Sequence, residues 1–245
     1  MPARKWLASF LTGNKGNGGV FLEKETGKVY AVLGDSVSTF AGCTPEDGVF
    51  YRGWVQEVTG VKEPEDTWWM QVIHGRNGVV GVNNSYAGST VSGNLATSAT
   101  AENRLRALGK KGDPDVILLA MGANDWGFCV LPQEFGLEYR RMLCRLKCLY
   151  PQAEIWCATL LRGKDGETEF FNAESTISQE VYSEIIREAA RETEVHLADV
   201  ARYGIEYETV DGVHPTKEGM QTIAGLWLKE MKEEKKEKKG GCILP

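Results

Sequence analysis

The sequence predicts one α/β domain built as a three-layer sandwich, with helices on both faces of a parallel sheet. Five apolar runs, each about as long as a strand, alternate along the chain with segments of helical spacing. Continuous apolar runs are typical of parallel strands, because helices cover both faces of such a sheet. Strand–helix–strand connections are right-handed, so this alternation indicates a layered sandwich.

The predicted strands are short and rich in Val, Ile and Leu, and they cover residues 29–33, 79–83, 116–121, 155–160 and 195–200. After the third strand, apolar side chains recur every three or four residues from Phe135 to Leu149, and Pro151 should end that helix. After the fourth strand, Ser178 is the predicted N-cap of a second helix. A last apolar stripe predicts a helix from Met220 to Met231.

Composition excludes several classes of protein. The chain has 245 residues with 28 basic and 34 acidic side chains, a net charge of -6, 42% hydrophobic and 25% charged residues. These values are typical of a globular protein and exclude a disordered chain. The acidic balance gives no basic face for nucleic acid. No apolar run approaches the roughly 18 residues of a membrane-spanning helix.

The chain ends and the cysteines favour a reduced, cytoplasmic protein. Arg4 and Lys5 precede an apolar stretch that is too short for a signal peptide and lacks a cleavage site. The six cysteines lie among apolar patterns, as expected of buried thiols, and Cys144 and Cys148 lack further ligands at zinc spacing. We expect an N-terminal extension over residues 1–27, a domain over 28–231 and a charged, flexible tail over 232–245.

Polar clusters follow four of the five predicted strands. The first strand runs into Gly34-Asp35-Ser36, the second into residues 83–88, and the third into Gly122-Ala123-Asn124-Asp125, while residues 211–214 follow the fifth. The carboxyl ends of parallel strands lie at one edge of the sheet, which is where ligands bind. We therefore expect these clusters to meet there.

The residue types at this edge fit acyl transfer. A serine hydroxyl needs a base, usually histidine, to take its proton. Of three histidines, His196 lies within the fifth apolar run and His74 near the end of a helical segment, which leaves His214. Asp211, three residues earlier, could bond Nδ1 and leave Nε2 to face Ser36. The alternative is an ordinary Asp-Gly turn before Pro215.

Acyl transfer also requires hydrogen-bond donors for the developing oxyanion. Ser36 would lie at a strand-to-helix turn, where backbone N–H groups are unpaired. Gly88 lacks a side chain, so its N–H can approach a substrate closely, and the Asn124 amide could supply a third donor. A glycine turn at 88 and an Asx turn at 124 are the alternatives.

In this order the clusters resemble the motifs of the SGNH superfamily of GDSL-type esterases and lipases. Gly34-Asp35-Ser36 matches its first motif, although Val37 stands where the family usually has Leu. Gly88 matches the second motif, residues 122–125 match Gly-x-Asn-Asp, and residues 211–214 match Asp-x-x-His. The resemblance spans about residues 29–230.

The resemblance implies a flavodoxin-like α/β/α sandwich with a five-stranded parallel sheet in the order 2-1-3-4-5. It implies that Ser36 is the nucleophile, His214 the base and then the acid, and Asp211 the residue that orients the imidazole. Ser36, Gly88 and Asn124 would form the oxyanion hole. No metal or cofactor is implied, and the partner is a small-molecule ester.

The substrate is less closely defined. We expect short acyl chains, such as acetyl, with a carbohydrate as one candidate alcohol, and with a lysophospholipase, a thioesterase or a catalytically silent binding module as alternatives. Trp126, and Phe170 and Phe171 on the 161–177 loop, are candidate pocket walls or else core residues. The glycine-rich residues 13–19 precede a strand, which is the wrong order for a phosphate-binding loop.

Overall fold

The protein, analysed as a computed structural model, contains a five-stranded parallel sheet with helices on both faces. The structure describes residues 27–164 and 177–240, with side chains up to Lys232. The sheet strands are β1 (Val29–Gly34), β2 (Val79–Asn83), β3 (Val116–Ala120), β4 (Glu154–Ala158) and β6 (His196–Ala198). A separate two-stranded sheet pairs β5 (Arg162–Gly163) with β7 (Glu206–Tyr207).

The sheet order is β2-β1-β3-β4-β6, and all pairs are parallel. The predicted order 2-1-3-4-5 is confirmed. The last strand of the five-stranded sheet is numbered β6 because the short β5, which belongs to the other sheet, precedes it in the chain. Successive residues of β1 face opposite sides of the sheet. Tyr30 and Val32 join one buried core, whereas Ala31 and Leu33 join the other. Burial on both faces explains the continuous apolar runs.

Seven α-helices complete the described part of the chain: α1 (Trp54–Thr59), α2 (Trp68–Gly75), α3 (Glu102–Ala107), α4 (Ala123–Gly127), α5 (Pro132–Leu149), α6 (Gln179–Thr193) and α7 (Lys217–Gly240). As predicted, α5 ends before Pro151. Ser178 does precede α6, but its hydroxyl makes no capping hydrogen bond. Among the described helices, none combines the length and the apolar character needed to cross a membrane.

The cysteine prediction is partly wrong. Cys157 is buried in β4, but Cys144 and Cys148 are exposed on α5. The buried face of α5 includes Met142 and Leu146. Cys144 and Cys148 each lie two residues from one of these positions, and a two-residue step turns a side chain away from the buried face of a helix.

Candidate active site

The pairing of β1 with β3 brings the first and third polar clusters together. The two strands stay in register to their last residues, with Gly34 opposite Ala120. Ser36 begins a short 3-10 turn, and the Val37 N–H donates to Asp35 Oδ1 over 3.0 Å to cap it. This places Ser36, which is 7% exposed, beside the sheet edge where α4 begins.

Ser36, His214 and Asp211 form a chain of hydrogen bonds. Ser36 Oγ lies 2.9 Å from His214 Nε2, and His214 Nδ1 lies 2.6 Å from Asp211 Oδ2. Burial alone would raise the pKa of Asp211, but hydrogen bonds from the imidazole and from two backbone amides hold this pKa below its usual value. The ionised carboxylate can only accept, so Nδ1 carries the proton and Nε2 is free to accept from Ser36.

Three aromatic residues that the sequence reasoning missed support the loop that carries His214. The Tyr51 hydroxyl donates to the Pro215 carbonyl over 3.0 Å, and the Tyr207 hydroxyl donates to the Val213 carbonyl over 2.8 Å. Burial raises the pKa of both phenols, so both remain protonated donors. The ring of Phe50 stacks on the imidazole, with centroids 3.5 Å apart.

The proposed oxyanion donors lie on two loops that are joined by hydrogen bonds. Gly88 is exposed and has a φ of 72°, a left-handed conformation that L side chains rarely adopt. Among the described residues, no backbone acceptor pairs with the Gly88 N–H. Asn124 is buried, and its Nδ2 donates to the Ser89 carbonyl over 2.9 Å. The second amide hydrogen of Asn124 remains available for a substrate.

Asp125 also connects these two loops. Its buried carboxylate accepts from the Val91 and Ser92 backbone amides over 2.8 and 2.9 Å. Burial raises the pKa of Asp125, while these hydrogen bonds act in the opposite direction. Asp125 therefore ties the start of α4 to the loop that follows β2.

An apolar cavity of about 70 Å³ lies next to the turn that carries Ser36, although Ser36 itself is not one of its wall residues. Its walls include Asp35 and Val37, on either side of Ser36 in the chain, and Ala123, next to Asn124. The remaining wall residues are mostly apolar: Trp68, Ala120, Met121, Ala158, Thr159, Leu160, Leu161, Val200, Tyr207, Ile223 and Trp227. Burial raises the pKa of Asp35 to about 6.

The other candidate residues lie elsewhere. Trp126 is half-buried against the core beneath α5, donates from Nε1 to the Ile177 carbonyl over 3.1 Å, and does not line the cavity. His196 stacks on Trp156 in the sheet, and His74 is exposed in the last turn of α2. Phe170 and Phe171 lie outside the described residues, as do residues 13–19. Within the described parts of the chain, no group of three or more His, Cys, Asp or Glu side chains could hold a metal ion.

The family model described as GDSL-like lipase/acylhydrolase matches residues 28–231. The chain belongs to this family. The GDSL-like acylhydrolase is therefore a carboxylic ester hydrolase, as the order of its sequence motifs predicted. No curated protein matches the chain.

Solved structures show the same fold for this acylhydrolase. A protein of Bacteroides ovatus described as a GDSL-like lipase shares 22% identity and a TM-score of 0.65, over 85% of this chain and 100% of that one. A second, from Bacteroides uniformis, shares 24% identity and a TM-score of 0.58, over 84% and 96%. The aryl esterase of M. smegmatis shares 15% identity and a TM-score of 0.60, over 84% and 99%.

Proposed function

We propose that this acylhydrolase is a serine esterase that cleaves esters of short acyl chains, above all acetyl esters, through an acyl-enzyme on Ser36. The observation that carries the proposal is the hydrogen-bonded chain from Ser36 through His214 to Asp211, with distances of 2.9 and 2.6 Å. A serine within reach of an oriented base is the arrangement that makes a hydroxyl nucleophilic.

The reaction proceeds in two steps, acylation of Ser36 and hydrolysis of the acyl-enzyme. His214 Nε2 takes the proton of Ser36 as Oγ attacks the acyl carbon, and the new C–O bond places negative charge on the carbonyl oxygen. The N–H groups of Ser36 and Gly88 and the amide of Asn124 stabilise that charge. The alcohol leaves with the proton from His214. Water, deprotonated by His214, then attacks the acyl-enzyme, and the acid departs as Oγ regains its proton.

The cavity beside Ser36 supports a short acyl group. A single water needs about 10–15 Å³ of such space, so this cavity has room for roughly five to seven water-sized atoms. The stacked indoles of Trp68 and Trp227, 5.1 Å apart, form part of its wall. Away from the cavity walls, Gly88 and Asp211 are exposed. An alcohol group leaving toward these residues would face water, which suits a polar alcohol such as a carbohydrate.

The test is hydrolysis of p-nitrophenyl acetate, butyrate and octanoate by the wild type, Ser36→Ala and Ser38→Ala. Ser38 is the matched control, because it lies in the same turn and is buried, but its Oγ accepts from Trp68 Nε1 over 3.2 Å and faces no histidine. We expect turnover to vanish in Ser36→Ala, to stay within about tenfold of wild type in Ser38→Ala, and to fall from acetate to octanoate.

Other outcomes would overturn specific parts of the proposal. Wild-type turnover by Ser36→Ala would remove the serine from the mechanism. Fastest turnover of octanoate would contradict a pocket for short acyl chains and favour a lysophospholipase or thioesterase. If the wild type hydrolyses no ester and a fluorophosphonate leaves Ser36 unlabelled, the protein is a silent binding module.

A further inference from the structure

Arg104, on α3, is a buried cation that the catalytic steps do not use. Its side chain is 1% exposed. Among the described residues, none of the ion pairs involves it, and its Nε has no hydrogen-bond partner. Burial lowers the pKa of Arg104 to about 10, which leaves the guanidinium charged at neutral pH. A buried charge is costly unless its hydrogen bonds are satisfied, so its stability in the fold depends on the acceptors that surround it.

The guanidinium of Arg104 binds four oxygens from three neighbouring segments. Its Nη2 donates to the Gly34 carbonyl over 3.2 Å and to the Asn84 carbonyl over 2.5 Å. Its Nη1 donates to the Thr97 carbonyl over 2.6 Å and to the Ser89 hydroxyl. One rigid, planar group therefore joins the carboxyl ends of β1 and β2 to the loop that contains Gly88.

These contacts continue directly to the proposed oxyanion donors. Ser89 follows Gly88 and is held at two points. Its hydroxyl accepts from Arg104, and its carbonyl accepts from Asn124 Nδ2 over 2.9 Å. Movement of Ser89 would therefore shift the Gly88 N–H and release the Asn124 amide together.

We propose that Arg104 is a positioning residue of the oxyanion hole, which fixes Gly88 and Asn124 relative to Ser36 through its bonds to Gly34 and Ser89. The proposal rests on the serine-esterase function given above. Arginine is suited to this role because its donors form a fixed fork, whereas the three donors of lysine radiate from one nitrogen. The guanidinium also lies over the Tyr86 ring, 5.1 Å from its centroid.

The first test is the kinetics of Arg104→Met and Arg104→Lys with p-nitrophenyl acetate. A misplacement of about 1 Å costs about 10² in rate, so we expect kcat to fall roughly 10–100-fold in Arg104→Met with KM within about threefold. Arg104→Lys should recover part of that loss. The Ki of a trifluoromethyl ketone, whose adduct carries an oxyanion, should rise by the same factor.

Arg187→Met is the matched control. Arg187, on α6, is a less buried arginine whose guanidinium binds Asp199 and two glutamates. Asp199 accepts a hydrogen bond from Thr159 in the cavity wall, but within the described part of the chain neither Arg187 nor Asp199 is bonded to a proposed oxyanion donor. We expect Arg187→Met to lower the Tm and leave kcat within about twofold of wild type. An equal loss of kcat in Arg187→Met and Arg104→Met would show a general stability effect and overturn the positioning role.

A double-mutant cycle supplies the second test. Arg104 is proposed to hold both donors, so the part of its effect that acts through Gly88 remains when Asn124 is deleted. The loss of kcat in Arg104→Met combined with Asn124→Ala should therefore be clearly smaller than the product of the two single losses. Losses that multiply would refute the proposal. If Arg104→Met does not fold, Arg104→Lys and Ser89→Ala, which deletes one contact, replace it in the cycle.

The two proposals fail separately. Wild-type turnover by Ser36→Ala would remove the proposed function and this inference with it. If turnover depends completely on Ser36, and a folded Arg104→Met or Arg104→Lys keeps the wild-type kcat and Ki, this inference alone is overturned.

Discussion

Replacing Asp35 with Asn should change how the stability of the protein depends on pH. Asp35 is 5% exposed, and its carboxylate accepts one hydrogen bond, from the Val37 N–H over 3.0 Å. Burial is the largest cause of its altered titration and raises its pKa from 3.8 to about 6. An asparagine keeps the shape of the side chain and its acceptor oxygen, but it has no proton to lose.

The sign and size of the effect follow from linkage. Between about pH 4 and pH 6 the folded state holds the proton of Asp35 while the unfolded state has lost it, so stability falls as the pH rises. At about 1.4 kcal/mol per pKa unit, the rise from 3.8 to about 6 corresponds to about 3 kcal/mol. The loss levels off above the folded pKa, where both states are ionised. At pH 4 the unfolded carboxyl is already more than half ionised, so Asp35→Asn should gain about 2–3 kcal/mol relative to wild type between pH 4 and pH 7.

Urea unfolding at pH 4, 5, 6 and 7 measures this difference. With a slope of about 2 kcal/mol per molar urea, the midpoint of Asp35→Asn should move by roughly 1–1.5 M relative to wild type across the series. A difference that stays constant with pH, or that shrinks as the pH rises, would refute the account of Asp35.

Asp66→Asn is the control of opposite sign. Burial of Asp66 acts to raise its pKa, but the Lys217 ammonium, 2.7 Å away, and the Lys62 and Glu63 backbone amides hold this pKa below its usual value. The stabilisation from Asp66 is present above its unfolded pKa and is lost as the pH falls through the folded value. Asp66→Asn should thus differ from wild type by a constant amount from about pH 5 to 7 and converge with it only in stronger acid.

Three further predictions concern catalysis. Asn124→Ala removes a proposed oxyanion donor and should lower kcat by about 10²–10³ in a protein that still folds, although the lost hydrogen bond to the Ser89 carbonyl should also lower the Tm; an unchanged kcat would exclude Asn124 from the hole. Asp211→Asn should lower kcat by about 10⁴, because an amide cannot stabilise the imidazolium; a loss below tenfold would contradict its role. Ile223→Ala enlarges the cavity and should raise the octanoate-to-acetate ratio of kcat/KM by about tenfold. Ile186→Ala, in the core on the other face of the sheet, should leave this ratio unchanged. Equal ratios in the two variants would exclude the cavity as the acyl pocket.

The strands could be predicted from the sequence because burial on both faces of a parallel sheet leaves a plain signal. The third run was predicted over residues 116–121 and β3 covers Val116–Ala120. The fifth run was predicted over 195–200, but β6 is only His196–Ala198 because Val200 begins a 3-10 turn. The short β5 and β7, two residues each, carry no pattern that sequence periodicity could detect.

The clusters of the candidate site could also be predicted, because each follows the carboxyl end of a strand. Ser36, Asn124 and His214 are far apart in the chain, and the common carboxyl edge of a parallel sheet predicts that they meet. The supporting residues could not be found in this way. Arg104 lies in a short polar helix, where an arginine is typical of a solvent-exposed face, and its burial depends on the tertiary position of α3. Phe50 contacts His214 from a segment without regular periodicity, so nothing in its sequence signals that contact.

Mass spectrometry of the protein quenched during hydrolysis of p-nitrophenyl acetate, followed by peptide mapping, shows directly whether Ser36 carries the acyl group. We expect one acetyl group on the Ser36 hydroxyl of the wild type and none in Ser36→Ala. Two results would contradict this mechanism. One is an acetyl group on a residue other than Ser36 while product forms at the wild-type rate. The other is turnover at that rate by an unmodified Ser36→Ala.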